Sequence, residues 1–507
     1  MAAIITEKFR QSNADAFFAD VASSKYYMFV GKPSPWTSEG ATTDNNPPTP
    51  VDSVADESYY WDDMLAAKLI SSKSYVIPRR DFSTTSAFDM YRHDVGAVNT
   101  GNYGTTKTTS SSGATNVFDS TYYFKTSEHK VYKVLYNGDQ LQTGAGNISG
   151  SEPTNVGNAP FWQDNNYYIK YMYTMSTSEV QNFLTTDFMP VKVNANADAN
   201  RGVYVFMVTS GGSGYPTTGG ESNGNVFYTK LRGDGSGGIA RLVVSGGAIV
   251  EFGNNDNSGN SYMQTNGTGY SFASFDLSST NIYTDASAST LISGTPKTDW
   301  EGATAGTIKA IIDPPSGHGT DAIAELGGHY VMLQSKLEPS DSDVVQVNDF
   351  RRVGIVKNPK DSATNAVSTL ATARTTNAIL MAAGGNGNYQ VDEKITQTST
   401  GAVGTVVEWD STNRILYYVQ EKYTNYGLDS SGNLTVFSGA NAVTGANSNA
   451  VHTPATTSGT TNGVVFASGY ANPELSRDTG EIIYVENRRA ISRASDQTED
   501  IKVVVEF

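Results

Sequence analysis

The run Gly317-His318-Gly319-Thr320-Asp321-Ala322-Ile323-Ala324-Glu325-Leu326-Gly327-Gly328-His329 holds the side chains that come nearest to reaction chemistry. His318, Asp321, Glu325 and His329 are metal-ligating types, and the last three share a face if one helix carries them all. Gly327-Gly328 works against that helix, because glycine ends helices, and the two histidines lack a familiar metal spacing. A short helix capped by Thr320, with Asp321 set against the helix dipole, accounts for the same residues. Gly233-Asp234-Gly235-Ser236-Gly237-Gly238 spells a dinucleotide fingerprint, but Ile239 to Val244 reads as a strand where the phosphate-binding helix must stand, so a glycine turn is expected.

Arg79, Arg80 and Asp81 are suited to gripping a phosphate or to a charge-assisted network. They follow a strand-like run and Pro78, so a structural or interface ion-pair cluster is the expectation. There is no Gly-x-Ser-x-Gly elbow, the five histidines are scattered, and the absence of cysteine excludes thiol nucleophiles, thiolate metal sites and disulfides. A pair of carboxylates for glycoside cleavage cannot be picked out of 51 acidic residues, since their spacing is three-dimensional. The expectation is a protein that is not an enzyme and carries no catalytic, metal or cofactor-binding residues and no cofactor.

A net charge of −16 opposes phosphate binding, and a nucleic-acid partner is not expected. The start Met1-Ala2-Ala3-Ile4-Ile5-Thr6-Glu7 lacks a basic region followed by a long apolar run. No apolar stretch nears the roughly twenty residues that span a bilayer, so a soluble chain without a membrane partner is expected. Charged residues make up only 17% while Gly (49) and Tyr (29) abound, which suits short strands joined by turns: a mainly β fold.

Along the chain, Ser12 or Asn13 is placed to cap a helix through about Ala22, and Lys25 to Val30 reads as a buried strand. After the stiff connector Pro47-Pro48-Thr49-Pro50, the spacing of Tyr60, Trp61, Met64, Leu65, Lys68 and Leu69 predicts a helix. Glu481-Ile482-Ile483-Tyr484-Val485-Glu486-Asn487 and the alternation Ile501, Val503, Val505, Phe507 read as strands, separated by turn residues Ser495 to Asp500. Gly/Ser/Thr/Asn-rich regions repeat a Gly-x-Gly-Tyr-like element: Gly212 to Tyr215, Gly267 to Tyr270 and Gly385 to Tyr389, with Ser468-Gly469-Tyr470 related. Hairpins with glycines at bulges or positive φ and tyrosines covering them are expected there.

The block Gly480-Glu481-Ile482-Ile483-Tyr484-Val485-Glu486-Asn487-Arg488, with Asp496-Gln497-Thr498-Glu499 and the terminal strand, resembles the C-terminus of the baseplate wedge subunit family, gene product eight, of T-even-type contractile-tailed phages. Lys8-Phe9-Arg10, Gly31 with Pro35-Trp36, Asp52-Ser53-Val54, Val76 to Asp81, and Phe350-Arg351-Arg352-Val353-Gly354-Ile355-Val356 with Asn358-Pro359 extend the similarity in order. Val131 to Leu135 and Tyr168 to Met172 are similar to later strands of the same family.

The resemblance implies a β-sandwich core flanked by a few helices; the two Gly/Ser/Thr-rich regions between its blocks depart from the family pattern and read from their own repeats as β insertions. The core would comprise 1–195, 305–360 and 476–507, and the insertions 196–304 and 361–475. It also implies a homodimer that assembles with other baseplate wedge proteins in the virion tail baseplate, put together in the host cytoplasm. There it would hold neighbouring subunits and take part in the rearrangement that triggers sheath contraction. Arg79, Arg80, Asp81, Glu481, Tyr484, Glu486, Asn487 and Arg488 are the family-motif residues, with structural or interface roles. A tail-associated glycan-binding or glycan-degrading protein is the alternative, because exposed tyrosines in the insertions would stack on sugars.

Overall fold

The structure is a computed structural model that describes residues 4–98, 106–138, 148, 150–163, 166–194, 201–253, 259–338, 348–422, 427–492 and 497–507. Strand at 39% against helix at 12% makes the fold mainly β, and its paired strands form several antiparallel sheets. The chain divides into two compact units, one of residues 1–14, 74–332 and 505–507, the other of 15–73 and 333–504.

In the second unit a five-stranded sheet is built around Tyr26–Gly31, every residue of which is buried. Phe350–Lys357 pairs with it on one side, Tyr26 opposite Lys357 and Val30 opposite Val353. Met64–Leu69 pairs on the other, Tyr27 opposite Leu69. A strand buried on both faces carries a continuous apolar run rather than an alternation, and Tyr27 and Phe29 sit in one core with Trp61, Met64, Ala67 and Val356. Glu481–Ile491 closes one edge of this sheet against Phe350–Lys357.

Two sequence expectations change here. The helix spacing from Tyr60 to Leu69 covers two elements: a helix Val54–Asp62, capped by the Ser53 side chain, and then the strand Met64–Leu69. Asp62 and Asp63 oppose the helix C-terminal dipole, and a strand from Met64 buries Met64 to Ala67 against Tyr27 to Gly31. The first helix runs Glu7–Ser23, nearly two turns earlier than a cap at Ser12 or Asn13 allows, and Thr6 Oγ1 accepts the Phe9 N–H at its start.

Within residues 377–471 of this unit, seven strands form one sheet around Ala402–Asp410. Ala402–Asp410 turns back into Ile415–Val419 with Asp410 opposite Ile415, and Arg414 at φ 59° completes the turn.

In the first unit, Lys130–Asn137 lies between Tyr123–Lys125 and Tyr167–Thr174 in a four-stranded sheet. Val226–Gly233 and Ser236–Ser245 form the centre of a six-stranded sheet, and Ser236–Ser245 turns through Gly246 and Gly247, both at positive φ, into Ala248–Ile249. That is the two-residue hairpin turn whose twist matches the flanking strands. Phe206, Phe227, Leu242 and Trp300 share one hydrophobic core with Phe124, Tyr132 and Tyr136.

The tyrosines of the repeated element cover glycines closely. A Cβ on Gly267 would stand 2.7 Å from the Tyr270 ring, whose hydroxyl accepts the Gly238 N–H at 3.1 Å. Tyr215, Tyr270 and Tyr389 are buried, so these three are not the exposed sugar-stacking platforms that the glycan alternative calls for.

The two terminal runs are strands, Glu481–Ile491 and Glu499–Glu506, and they lie in different sheets. Glu499 and Asp500, expected in a turn, begin the second strand, while Ser495 and Asp496 fall outside the described residues.

Candidate interface residues and a buried ion network

Arg79, Arg80 and Asp81 leave the end of the strand Ser72–Pro78, where Pro78 pairs with Phe188. Arg79 Nη2 stands 2.9 Å from Asp81 Oδ2, and its Nη1 donates to the Thr185 carbonyl at 2.8 Å. Lys125 Nζ reaches Asp81 Oδ1 at 2.7 Å. Burial alone would raise the Asp81 carboxyl, but hydrogen bonds from Arg79 and Lys125 outweigh it and hold the group below its ordinary value. Arg80 turns the other way, donating to the Ser120 and Phe118 carbonyls with its guanidinium 4.3 Å from the centre of the Tyr123 ring. The three neighbours thus fasten different loops, and only Arg79 and Asp81 form a pair.

On the edge strand Glu481–Ile491, Glu486 joins two of the motif residues. Its Oε2 accepts the Tyr484 hydroxyl at 2.9 Å and its Oε1 lies 3.2 Å from Arg488 Nε. Burial, then the Glu486 carboxylate, pushes the Tyr484 phenol up to about 12. Asn487 bridges inward, its Oδ1 accepting Arg352 Nε at 3.0 Å and its Nδ2 donating to the Pro48 carbonyl at 2.9 Å. The Arg488 carbonyl accepts the Trp36 indole N–H at 2.7 Å. Glu481 lies exposed at the start of the strand, opposite Lys357. Ile483 is 42% exposed and lines a groove of mixed character, with Val51, Tyr60 and Val485 beside Asp52, Ser53 and Glu57.

Of the four candidate metal ligands, His318 and Glu325 stay together while Asp321 and His329 take other partners. The helix spans only Ala322–Glu325 and is capped by Asp321, not Thr320: Asp321 Oδ1 accepts the Ala324 N–H at 3.1 Å. Gly327, at φ 81°, turns the chain out of the helix, so His329 leaves the face of Glu325 and lies 3.6 Å from Glu7. Among the described residues no group of three or more His, Cys, Asp or Glu side chains is placed to hold a metal.

What forms instead is a buried network. Lys133 Nζ donates to Glu325 Oε2 at 2.8 Å, and the Gly319 and Asp321 N–H groups donate to Oε1 at 2.7 and 3.2 Å. His318 Nδ1 is 4.0 Å from the same Oε2, while its Nε2 is 3.0 Å from Asp313 Oδ1. Asp313 Oδ2 accepts the Gly202 N–H at 3.0 Å. The Lys133 ammonium sits 4.0 Å from the centre of the Tyr91 ring. Burial lowers the pKa of Lys133, opposed by the charge and hydrogen bond of Glu325.

Sequence reasoning reached His318 and Glu325 but missed Lys133, Tyr91 and Asp313. Lys133 and Glu325 are 192 positions apart, and only folding brings them together. The available signal was a lysine inside the apolar, aromatic run Val131 to Leu135, where burial demands a partner.

Neither cluster presents a nucleophile and base in an open cleft, which leaves kinship to come from comparison. A search of curated proteins finds no match. Residues 3–205 match the family model described as Bacteriophage T4, Gp8, a span that takes in the N-terminal blocks of the resemblance, from Lys8-Phe9-Arg10 to Tyr168–Met172.

Proposed function

We propose that the protein is a structural component of the phage tail baseplate wedge, holding neighbouring wedge proteins together and taking part in the rearrangement that triggers sheath contraction. The match of residues 3–205 to the Gp8 family carries this reading and supports a place in the virion tail baseplate. The chain acts as a homodimer with separate surfaces for other wedge subunits and is assembled in the host cytoplasm. One discontinuous core, 1–195, 305–360 and 476–507, bears the insertions 196–304 and 361–475. Two sheets supply support for that division, since one draws its strands from 226–283 and the other from 377–471.

In this reading the exposed ends of the two motif clusters, Arg79 with Asp81 and Glu486 with Arg488, are interface positions. Arg80 and Asn487 are structural, holding the loops on which those positions stand. Interface energy comes from a few desolvated anchors rather than from total area, so the groove beside Ile483 is taken together with Glu486 and Arg488, which stand on the same strand.

The test is to purify phage particles that encode this chain, identify it by mass spectrometry, and label it with antibody for electron microscopy. Label at the baseplate, together with particles that lack assembled baseplates when the gene is interrupted, is the expected result. Label on fibres or capsid would refute the reading.

A further inference from the structure

We propose that Lys133 and Glu325 condense into an intramolecular amide that staples the strand Lys130–Asn137 to the end of the helix Ala322–Glu325. This goes beyond the wedge role and does not depend on it. The geometry supplies each part of the reaction. The nucleophile and the electrophile are in contact, Lys133 Nζ at 2.8 Å from Glu325 Oε2. The other carboxyl oxygen, Oε1, already accepts two backbone N–H groups, from Gly319 and Asp321, the arrangement that stabilises an oxyanion at a tetrahedral carbon. The His318–Asp313 pair stands beside the departing oxygen, with His318 Nδ1 4.0 Å from Oε2.

The site is dry, the side chain of Lys133 being 0% and that of Glu325 3% exposed. In such surroundings an ion pair loses most of its hydration, and the neutral amine gains relative to the ammonium. Holding the two groups together removes the entropic barrier of a bimolecular encounter. Burial lowers the Lys133 pKa, favouring the free amine that attacks.

The step balances without a cofactor. The ammonium gives a proton to Oε2, and the amine attacks the Glu325 carboxyl carbon. The tetrahedral oxyanion on Oε1 is held by the Gly319 and Asp321 N–H groups. His318 then relays a second proton from nitrogen to Oε2, the carbon–Oε2 bond breaks, and Oε2 leaves as water. An ammonium and a carboxylate become one amide and one water, with nothing oxidised or reduced. In a chain without cysteine this provides a covalent tie across 192 positions, which a disulfide cannot.

The experiment is intact-mass measurement of the full chain under denaturing conditions, followed by tryptic mapping. The expected result is a wild-type mass lower by one water than that of its sequence. Trypsin should fail to cut after Lys133, and a branched peptide should join the Lys133 and Glu325 segments. Lys133→Met should show its full sequence mass, and His318→Asn should accumulate the branched peptide more slowly after synthesis. A wild-type chain of full sequence mass that is cut after Lys133 would overturn the proposal and leave an ordinary buried ion pair. Unchanged cross-linking in His318→Asn would overturn the assigned proton relay. Both wild-type readouts need no variant to fold, and their failure would leave the baseplate reading untouched.

Discussion

Arg352 Nη1 donates to both carboxylate oxygens of Asp63, at 2.8 and 2.6 Å, with each side chain almost wholly buried. The pair joins the strand Phe350–Lys357 to the residue that follows the helix Val54–Asp62, and Asn487 occupies the Arg352 Nε. Removing one member leaves the other as an uncompensated buried charge. Asp63→Ala or Arg352→Ala should each cost about 3–5 kcal/mol in denaturant unfolding. The double change Asp63→Leu with Arg352→Met should cost less than the sum of the single changes. Additive losses would show that the two residues are not coupled.

Gly354 tests how tightly the centre of the same sheet is packed. A Cβ there would meet the Phe29 ring at 2.2 Å and the Tyr484 carbonyl oxygen at 2.8 Å. Gly354→Ala should therefore destabilise the protein by about 1–3 kcal/mol through overpacking. A melting temperature equal to that of the wild type would show that the ring moves aside freely.

Acid should act through Asp94. Burial raises its carboxyl, but Arg92 and then Lys309 outweigh burial and bring it down to about 2 from the ordinary 3.8. A depressed folded-state pKa means stability that is fully present above the unfolded value and lost as pH falls through the folded one. Asp94 should thus contribute about 2 kcal/mol that disappears between roughly pH 4 and pH 2. Unfolding free energies of wild type and Asp94→Asn, measured across that range, should converge at the acid end. Curves that stay parallel would contradict the assignment.

Chelation should leave folding unchanged, since among the described residues no group of three or more His, Cys, Asp or Glu side chains is placed to hold a metal. Melting with and without EDTA checks this. A drop of many degrees, restored by one metal, would show a site outside the arrangement described above.

The proposed homodimer predicts twice the chain mass of 54.2 kDa by light scattering at micromolar concentration. An isologous interface uses one patch twice, so a single charge reversal such as Glu486→Arg acts on both sides if the edge strand lies within it. A monomer at that concentration would confine the dimer to the assembled baseplate.

The sequence by itself determined the local chemistry of this protein. Tyr26 to Val30, Val131 to Leu135, Glu481 to Asn487 and Ile501 to Val505 are legible as strands because β-branched and aromatic runs suit little else. The glycine turns are legible because positive φ selects glycine. The Gp8-like blocks are legible because they are words in order, independent of folding.

Tertiary structure decided what depended on partners far along the chain. Met64 to Leu69 has helical spacing, yet pairing with Tyr27 to Gly31 made it a strand. Glu325 and His329 share a face only if one helix carries both, yet Gly327 turned His329 away and Lys133, in a distant strand, filled the space next to the Glu325 carboxylate. Burying a charge requires a counter-charge, but nothing in the spacing of residues says which one; only the sheet register that sets Lys133 opposite Tyr123 and Lys170 does.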